Sequence, residues 1–388
     1  MKTRNYQGNS LPNSSQKLLL TAALSRDPKQ VGSAWTTWRQ YESIDNLDAG
    51  SLKLIPLLSY NLESCSIRDD LTQKLRGIRR KASFSNQLLF YFAQQVIDVM
   101  EHQGIPILFL KGFSLVADGF YSSPCFRPMQ DIDILIPSNS ITLAINILLN
   151  AGWHIKYPEI MNRINETPKD MIQYRFGSIA FHNQYGYEID LHWFLFPGYD
   201  PWQRAKTAYF QGREIQTLNK IDLLLHVISH GLAWNDVPPL RWIADACMIF
   251  AHSESINWHE LIQIATCSHT LLSLQVGLKF LHNLLPEYLA QQPEYDLVVH
   301  SISKIKISWQ QTALLWGMMH PSKPIRVLSL NIKNYQVAYH YYCANYPCQA
   351  DFAKPDWIEF LRVIWNLPYR SQVIAYLFSS AWRQFSIK

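Results

Sequence analysis

The stretch FRPMQDIDILIP, Phe126 to Pro137, sets two carboxylates, Asp131 and Asp133, inside what otherwise reads as a buried β-strand. Ile132, Ile134, Leu135 and Ile136 give the run its apolar character and Pro137 closes it. Side chains two apart on a strand share a face, so Asp131 and Asp133 project together while Ile132, Ile134 and Ile136 turn to the opposite, buried side. The two carboxylates then lie about 6–7 Å apart at Cα and repel each other. Burying an unpaired ion costs several kcal/mol, so the fold must bring positive charge to this face.

A second stretch repeats the pattern. In YEIDLHWFL, Tyr187 to Leu195, alternation puts Glu188, Asp190 and His192 on one face and Tyr187, Ile189, Leu191 and Trp193 on the other. If this strand lies beside DIDILIP, a third carboxylate joins the first two. Three convergent carboxylates make a site for a hard divalent cation such as Mg²⁺, with positions left open for water and phosphate. The competing reading has Asp131 capping a strand end and Asp133 paired with Arg127 or another cation.

Upstream stands LKG, Leu110 to Gly112, where a strand ends and a helix is expected to begin at Phe113 and Ser114. Glycine lets a backbone approach a phosphate closely, and a helix N-terminus offers unpaired N–H groups. Lys111 either reaches a phosphate as a point charge or caps the strand end. Arg127 either binds a triphosphate oxygen or fixes its loop by pairing with Asp131. His192 either orients a metal ligand or the acceptor, or is a hydrogen-bonded structural histidine.

Around these motifs the periodicity divides the chain. From Gln16 to about Gln103 apolar residues recur at helical intervals, and Gly104 is a plausible C-cap. IPILFLKG then reads as a buried strand, followed by a helix, the DIDILIP strand, another helix, and a hairpin whose strands GSIAFHNQ and YEIDLHWFL meet near Tyr185 and Gly186. From NKIDLLLHVISHGLAW onward the helical period returns. The expected fold class is α+β: a small mixed sheet over residues 104–219, between a helical region at 1–103 and a C-terminal helical bundle at 220–388. On that bundle His226 and His230 are spaced i, i+4, a weak zinc signal better read as a packed pair. Arg241 and Asp245, also i, i+4, are expected to form a helix ion pair.

Composition narrows the function classes. With 48 % apolar and 17 % charged residues in 388, the chain has ample material for a large core and no sign of long disorder. Its six cysteines form no CxxC pair and read as reduced thiols, mostly core filler. The net charge of +5 is not concentrated. Even KLRGIRRK, Lys74 to Lys81, reads as a solvated helix face, so no long nucleic acid is expected as a partner. No apolar run reaches the roughly 18 residues of a membrane span, and MKTRNYQGNSLPNSSQ lacks a signal-peptide core. A cytoplasmic protein is expected.

The combination LKGFSLVADGFYSSPCFRPMQDIDILIP followed by YEIDLHW resembles the polymerase-β-like nucleotidyltransferase superfamily. Within it the chain is most similar to the poorly characterised nucleotidyltransferase family with an LKG turn, an Arg ahead of the DxD pair and a later D-L-H-W strand. The likeness is most specific from about Ile105 to Trp193 and extends into LLLHVISHGLAWNDVPPLRWIADA. It implies a fold in which the glycine turn holds nucleotide phosphates and three carboxylates bind two Mg²⁺. Carried over by position, Asp131, Asp133 and Asp190 are the metal and catalytic residues, and Gly112 is the turn glycine. The superfamily's usual turn is Gly-Gly or Gly-Ser, whereas Phe113 follows Gly112 here and Ser114 comes one place later. The loop to Asp131 is also longer, so Lys111 and Arg127 are expected to supply phosphate contacts. The resemblance implies a nucleoside triphosphate, with ATP the expected one, Mg²⁺ with Mn²⁺ as an alternative, and transfer of a nucleoside monophosphate to a small-molecule, sugar, peptide or protein acceptor. Two alternatives share the fold: a non-catalytic nucleotide- or protein-binding module, and a phosphotransferase using the same metals.

Overall fold

Two strands far apart in sequence, DIDIL and EIDLH, lie side by side in parallel at the middle of the molecule, and the other elements are arranged around them. The computed structural model describes residues 11–167, 169–196, 199–232, 239–305 and 356–376, with isolated positions between 332 and 343. Part of the expected C-terminal bundle, and Cys348 with it, therefore lies outside the described residues.

Five helices come first: α1 (Ser14–Leu24), α2 (Pro28–Tyr41), α3 (Ala49–Leu52), α4 (Ile55–Ser64) and α5 (Thr72–Glu101). Their starts are written in the sequence. Asn13 and Gln16 form a reciprocal capping box for α1, and Asp27 caps α2 just ahead of Pro28. The two periodic segments between residues 70 and 103 fuse into the single 30-residue α5. Its basic stretch lies partly folded onto acids rather than free in solvent, since Arg76 and Arg79 both bind Glu63, at 2.7 and 3.1 Å.

The sheet follows, with β1 (Leu108–Phe109), α6 (Lys111–Ala117), β2 (Asp131–Leu135), α7 (Ile141–Asn150), β3 (His154–Ile155), α8 (Pro158–Asn165), α9 (Ile172–Arg175), β4 (Ser178–His182), β5 (Glu188–His192), β6 (Lys206–Phe210) and β7 (Arg213–Thr217). The seven strands lie in the order β3-β4-β5-β2-β1-β7-β6. The β2–β5 and β1–β7 pairs are parallel and the others antiparallel, so the sheet is mixed and the fold is α+β. The β4–β5 hairpin turns at Asn183 to Gly186, where Gly186 takes φ 80°. The β6–β7 hairpin escapes the periodicity reading. Its two-residue loop, Gln211-Gly212, has both φ angles positive, at 50° and 81°, the twist that matches paired strands. A glycine in a two-residue gap between KTAYF and REIQT was the available signal.

Helices α10 (Lys220–Gly231), α11 (Arg241–Ala251), α12 (Trp258–Cys267), α13 (Leu271–Leu284), α14 (Pro286–Leu289) and α15 (Tyr295–Lys304) form the C-terminal side, and α16 (Trp357–Ile364) belongs to a small separate cluster with Tyr174 and Tyr342. The sheet divides the apolar core in two. Ile132, Ile134 and Ile136, with Ile189 and Leu191, pack against α5 and α7. On the other face, Leu108, Leu110 and Leu135 join a core that unites the N-terminal helices with α10 to α14. The helical regions before and after the sheet are thus one body of packing, tied also by the Tyr288 hydroxyl donating to the Leu24 carbonyl at 2.7 Å. The free cysteines fit the core-filler expectation only in part: Cys125 and Cys247 are buried, but Cys267 is exposed.

At one point α10 and α11 approach to backbone distance. A Cβ on Gly231 would stand 2.1 Å from Trp242 Cγ, and the rigid, buried indole has nowhere to go. Gly231→Ala should therefore lower stability by roughly 1–3 kcal/mol through overpacking, read as a shifted urea midpoint at constant m-value. An unchanged midpoint would mean that the two helices sit farther apart.

Candidate active site

The parallel register of β2 and β5 sets Asp131 opposite Glu188, Asp133 opposite Asp190, and Leu135 opposite His192. Alternation along both strands then gathers the polar side chains on the face turned toward α10 and α11. Asp133, buried, is the centre. Lys111 Nζ contacts its Oδ1, and His192 Nε2 lies 3.2 Å from the same oxygen and 3.1 Å from Asp190 Oδ2.

Electrostatics follows from these contacts. Burial by itself would raise the Asp133 carboxyl, but Lys111 and the His192 hydrogen bond hold it well below the usual carboxylate range. Asp190 is also kept low against its burial, chiefly by His192. Burial opposes a charged His192 ring, yet Asp190 and Asp133 overcome this and push its pKa up to about 9, so the ring is protonated at neutral pH. An ammonium and an imidazolium thus balance the buried Asp133 and the half-buried Asp190. Lys111 holds this position from a backbone φ of 45°, in the left-handed region that non-glycine residues adopt rarely and that concentrates at functional sites.

Asp131 stands apart from this cluster. It lies one dyad along β2, half-buried, and makes no hydrogen bond or ion pair among the described residues. Its strand neighbour Glu188 is taken by Lys156 at 2.7 Å. The residues whose ligand atoms converge, all within 4.8 Å of one another, are Asp133, Asp190 and His192. Two carboxylates, and an imidazole that would give up its Nε2 proton on ligation, suit a divalent cation. The sequence-derived set of Asp131, Asp133 and Asp190 therefore meets a geometry in which His192 is nearer the pair than Asp131, because register places Asp131 against Glu188 and not against Asp190.

Arg127 binds neither Asp131 nor solvent. Its Nε and Nη2 donate to Asp245 Oδ1 and Oδ2 at 2.7 and 2.8 Å, and the Tyr121 hydroxyl donates to the same Oδ1 at 2.7 Å. The helix ion pair expected between Arg241 and Asp245 does not form, since Asp245 is turned to Arg127, and among the described residues Arg241 donates to the Pro128 carbonyl alone, at 3.2 Å. Asn86 of α5 fixes the same loop: it donates to the Pro124 and Arg127 carbonyls at 2.7 and 3.0 Å and accepts from the Met129 amide at 3.0 Å. This buried loop also accounts for Gly112. A Cβ there would lie 2.9 Å from Met129 Sδ and 3.1 Å from Arg127 Cζ, so packing against this loop by itself favours glycine. The helix after β1 begins at Lys111, two residues earlier than the sequence suggests, which carries Ser114 one turn in. Ser114 is wholly buried, with its hydroxyl unpartnered among the described residues, and does not line the cavity.

That cavity has a volume of about 420 Å³ and is bordered by Lys111, Gly112, Arg127, Asp131 and Asp133 on the sheet side. Its remaining walls come from α10, α11 and the end of α3, including His230, Arg241, Trp242 and Lys53. His226 and His230 form an edge-on pair with ring centroids 5.9 Å apart; burial makes the His226 ring hard to protonate, and the charge of Lys111 does the same chiefly for His230. No periodicity or motif marks Lys53 in AGSLKLIPLL. Only the tertiary fold carries it to the site.

A family model described as an uncharacterised nucleotidyltransferase matches residues 49–286. The chain belongs to that family. The match includes every residue that lines the cavity, from Ala49 to Asp245, and with it both strands of the acidic face. No curated protein and no solved structure matches the chain significantly. Among the described residues of this nucleotidyltransferase-family protein, no helix is long and apolar enough to cross a membrane.

The Arg127–Asp245 pair is almost wholly desolvated, with side-chain exposures of 7 % and 4 %. Asp245→Ala should cost roughly 3–5 kcal/mol by leaving Arg127 charged and alone. Adding Arg127→Ala should cost much less than a second such loss, because the pair fails as a unit. Urea unfolding of both single variants and the double variant measures this, and additive losses would mean the two side chains do not interact.

Proposed function

We propose that this protein is a divalent-cation-dependent nucleotidyltransferase that moves a nucleoside monophosphate from a nucleoside triphosphate, ATP being the expected donor, to a small acceptor. The observation that carries the reading is the register that aims Asp133 and Asp190 at one spot beside a cavity lined with cations. Family membership supports the same chemistry. Asp133 and Asp190 would hold the cation, with His192 or Asp131 completing the set and Mg²⁺ or Mn²⁺ the ions expected. Bound there, such an ion supplies charge neutralisation and alignment for the transferring phosphate.

The chain's own groups have separable tasks. Lys111 and His192 keep both carboxylates charged. Asp190, held below the usual carboxylate range, suits cation binding better than the proton-accepting role its position suggests. Val227, Leu240 and Trp242 line the same cavity and limit water in it, which strengthens each charged contact. A cavity of about 420 Å³ fits a nucleotide-sized ligand, not a polymer, and supports an acceptor that is a small molecule, a sugar, or an exposed peptide or protein side chain.

Incubation with α- and γ-labelled nucleoside triphosphates and cell extract tests the reading. Label should move to an acceptor from the α-position, and Asp133→Asn and Asp190→Asn should each lower the rate by roughly 100-fold or more while retaining a folded circular dichroism spectrum. Transfer from the γ-position alone would make the protein a phosphotransferase. No transfer from either would leave a binding module.

Cation binding should also be visible without turnover. Millimolar Mg²⁺ or Mn²⁺ should raise the melting temperature of the wild type, corresponding to about 2.7 kcal/mol at one hundred times Kd, and Asp133→Asn should blunt the rise. A melting temperature indifferent to both ions, with and without nucleotide, would remove the cation from the proposal.

A further inference from the structure

Four cations line the cavity, and two of them have their charge matched. Lys111 is taken by Asp133 and Arg127 by Asp245. Among the described residues, Arg241 has a single hydrogen bond, to a neutral carbonyl, and Lys53 has no hydrogen bond or ion pair. The two unmatched cations are close enough to disturb each other. Burial first, and then the Arg241 charge, lower the Lys53 pKa to about 8. Asp131, which borders the same cavity and is itself unpaired among the described residues, acts on both cations and offsets one of the two charges, which leaves one positive charge on this wall for an anion to match. The same reasoning that demands positive charge beside Asp131 and Asp133 demands negative charge here.

Two further features of this wall favour an anion. Leu240, the N-cap, and Arg241 and Trp242, the first residues of the eleven-residue α11, border the cavity, and Leu240 supplies no side-chain cap, so the positive dipole end of the helix lies at this wall. The indole N–H of Trp242 is buried without a partner. Arginine, lysine and uncapped amides together are the donor set for phosphate oxygens.

We propose that Lys53 and Arg241 form a subsite that holds the terminal phosphates of the nucleotide, so that the leaving pyrophosphate is received on α11 and the end of α3. The proposal rests on the nucleotidyltransferase reading above and names where that substrate's charge is received. Lys53 and Arg241 are binding residues that leave the Asp133–Asp190 centre to the reacting phosphate. It also gives the N-terminal helices a part in the site, since α3 belongs to them.

Calorimetric titration of the full chain with tripolyphosphate, ATP and AMP, each with and without Mg²⁺, tests this. Tripolyphosphate should bind the wild type and Asp133→Asn alike. Lys53→Met and Arg241→Gln should each weaken ATP and tripolyphosphate by roughly 10-fold or more, leave AMP affinity unchanged, and Lys53→Arg should restore binding. Lys53 has no partner to lose, so Lys53→Met should melt as the wild type does and carries the test if Arg241→Gln is unstable. Failure of tripolyphosphate to bind, or unchanged affinity in both variants, overturns the subsite. An equal loss for AMP overturns it too, by assigning the cations to a single phosphate. Absent label transfer with the variant effects intact would sink the transferase reading and keep the polyphosphate site. Intact transfer with no variant effect would do the reverse.

Discussion

Desolvation of Asp133 is the constraint on which the rest of the site depends. A carboxylate that deep in a sheet must be neutralised, and the protein does so with two cations that reach it from different elements, Lys111 at the start of α6 and His192 at the end of β5. Each is placed by backbone geometry: Lys111 by a left-handed φ, His192 by the alternation of its strand. The result is a charge-balanced cluster with the donor atoms to receive a divalent ion.

The sheet makes this possible by having two differently covered faces. One is closed by α5 and α7 in an ordinary apolar layer. The other is apolar only where Leu108, Leu110 and Leu135 meet the helical body, and beyond them it opens into the cavity. The helices before and after the sheet form a single packed unit over that second face, so residues as distant as Lys53 and Arg241 border one space. The Arg127–Asp245–Tyr121 network, reinforced by Asn86, locks the loop before β2 to α11 and so fixes the distance between the acidic wall and the cationic one. Its members are buried and fully engaged, which identifies Arg127 as a brace for the site.

Family membership and geometry meet at the same residues. The matched span begins at Ala49, next to Lys53, and runs through α13, so it takes in the helical walls as well as the sheet. In this family member the acidic face lies on strands, and the remaining walls of the cavity come from helices at both ends of the matched region.

What the sequence determined by itself is the chemistry that repeats with a local period. Alternation in DIDIL and EIDLH determined which side chains face the core and which face the site, and the helical period from Gln16 onward marked the N-terminal helices. The tertiary structure decided every partnership. The i, i+4 spacing pointed Asp245 to Arg241, but a buried bidentate contact with Arg127 satisfies it better than a pair within one helix. Gly112, in a motif suited to phosphate, is favoured by packing against a neighbouring arginine, and Ser114 is turned into the core because the helix begins two residues early. Lys53 carried no signal at all. Its place in the cavity depends on packing between segments separated by almost two hundred residues, and such contacts leave no periodic trace in the chain that makes them.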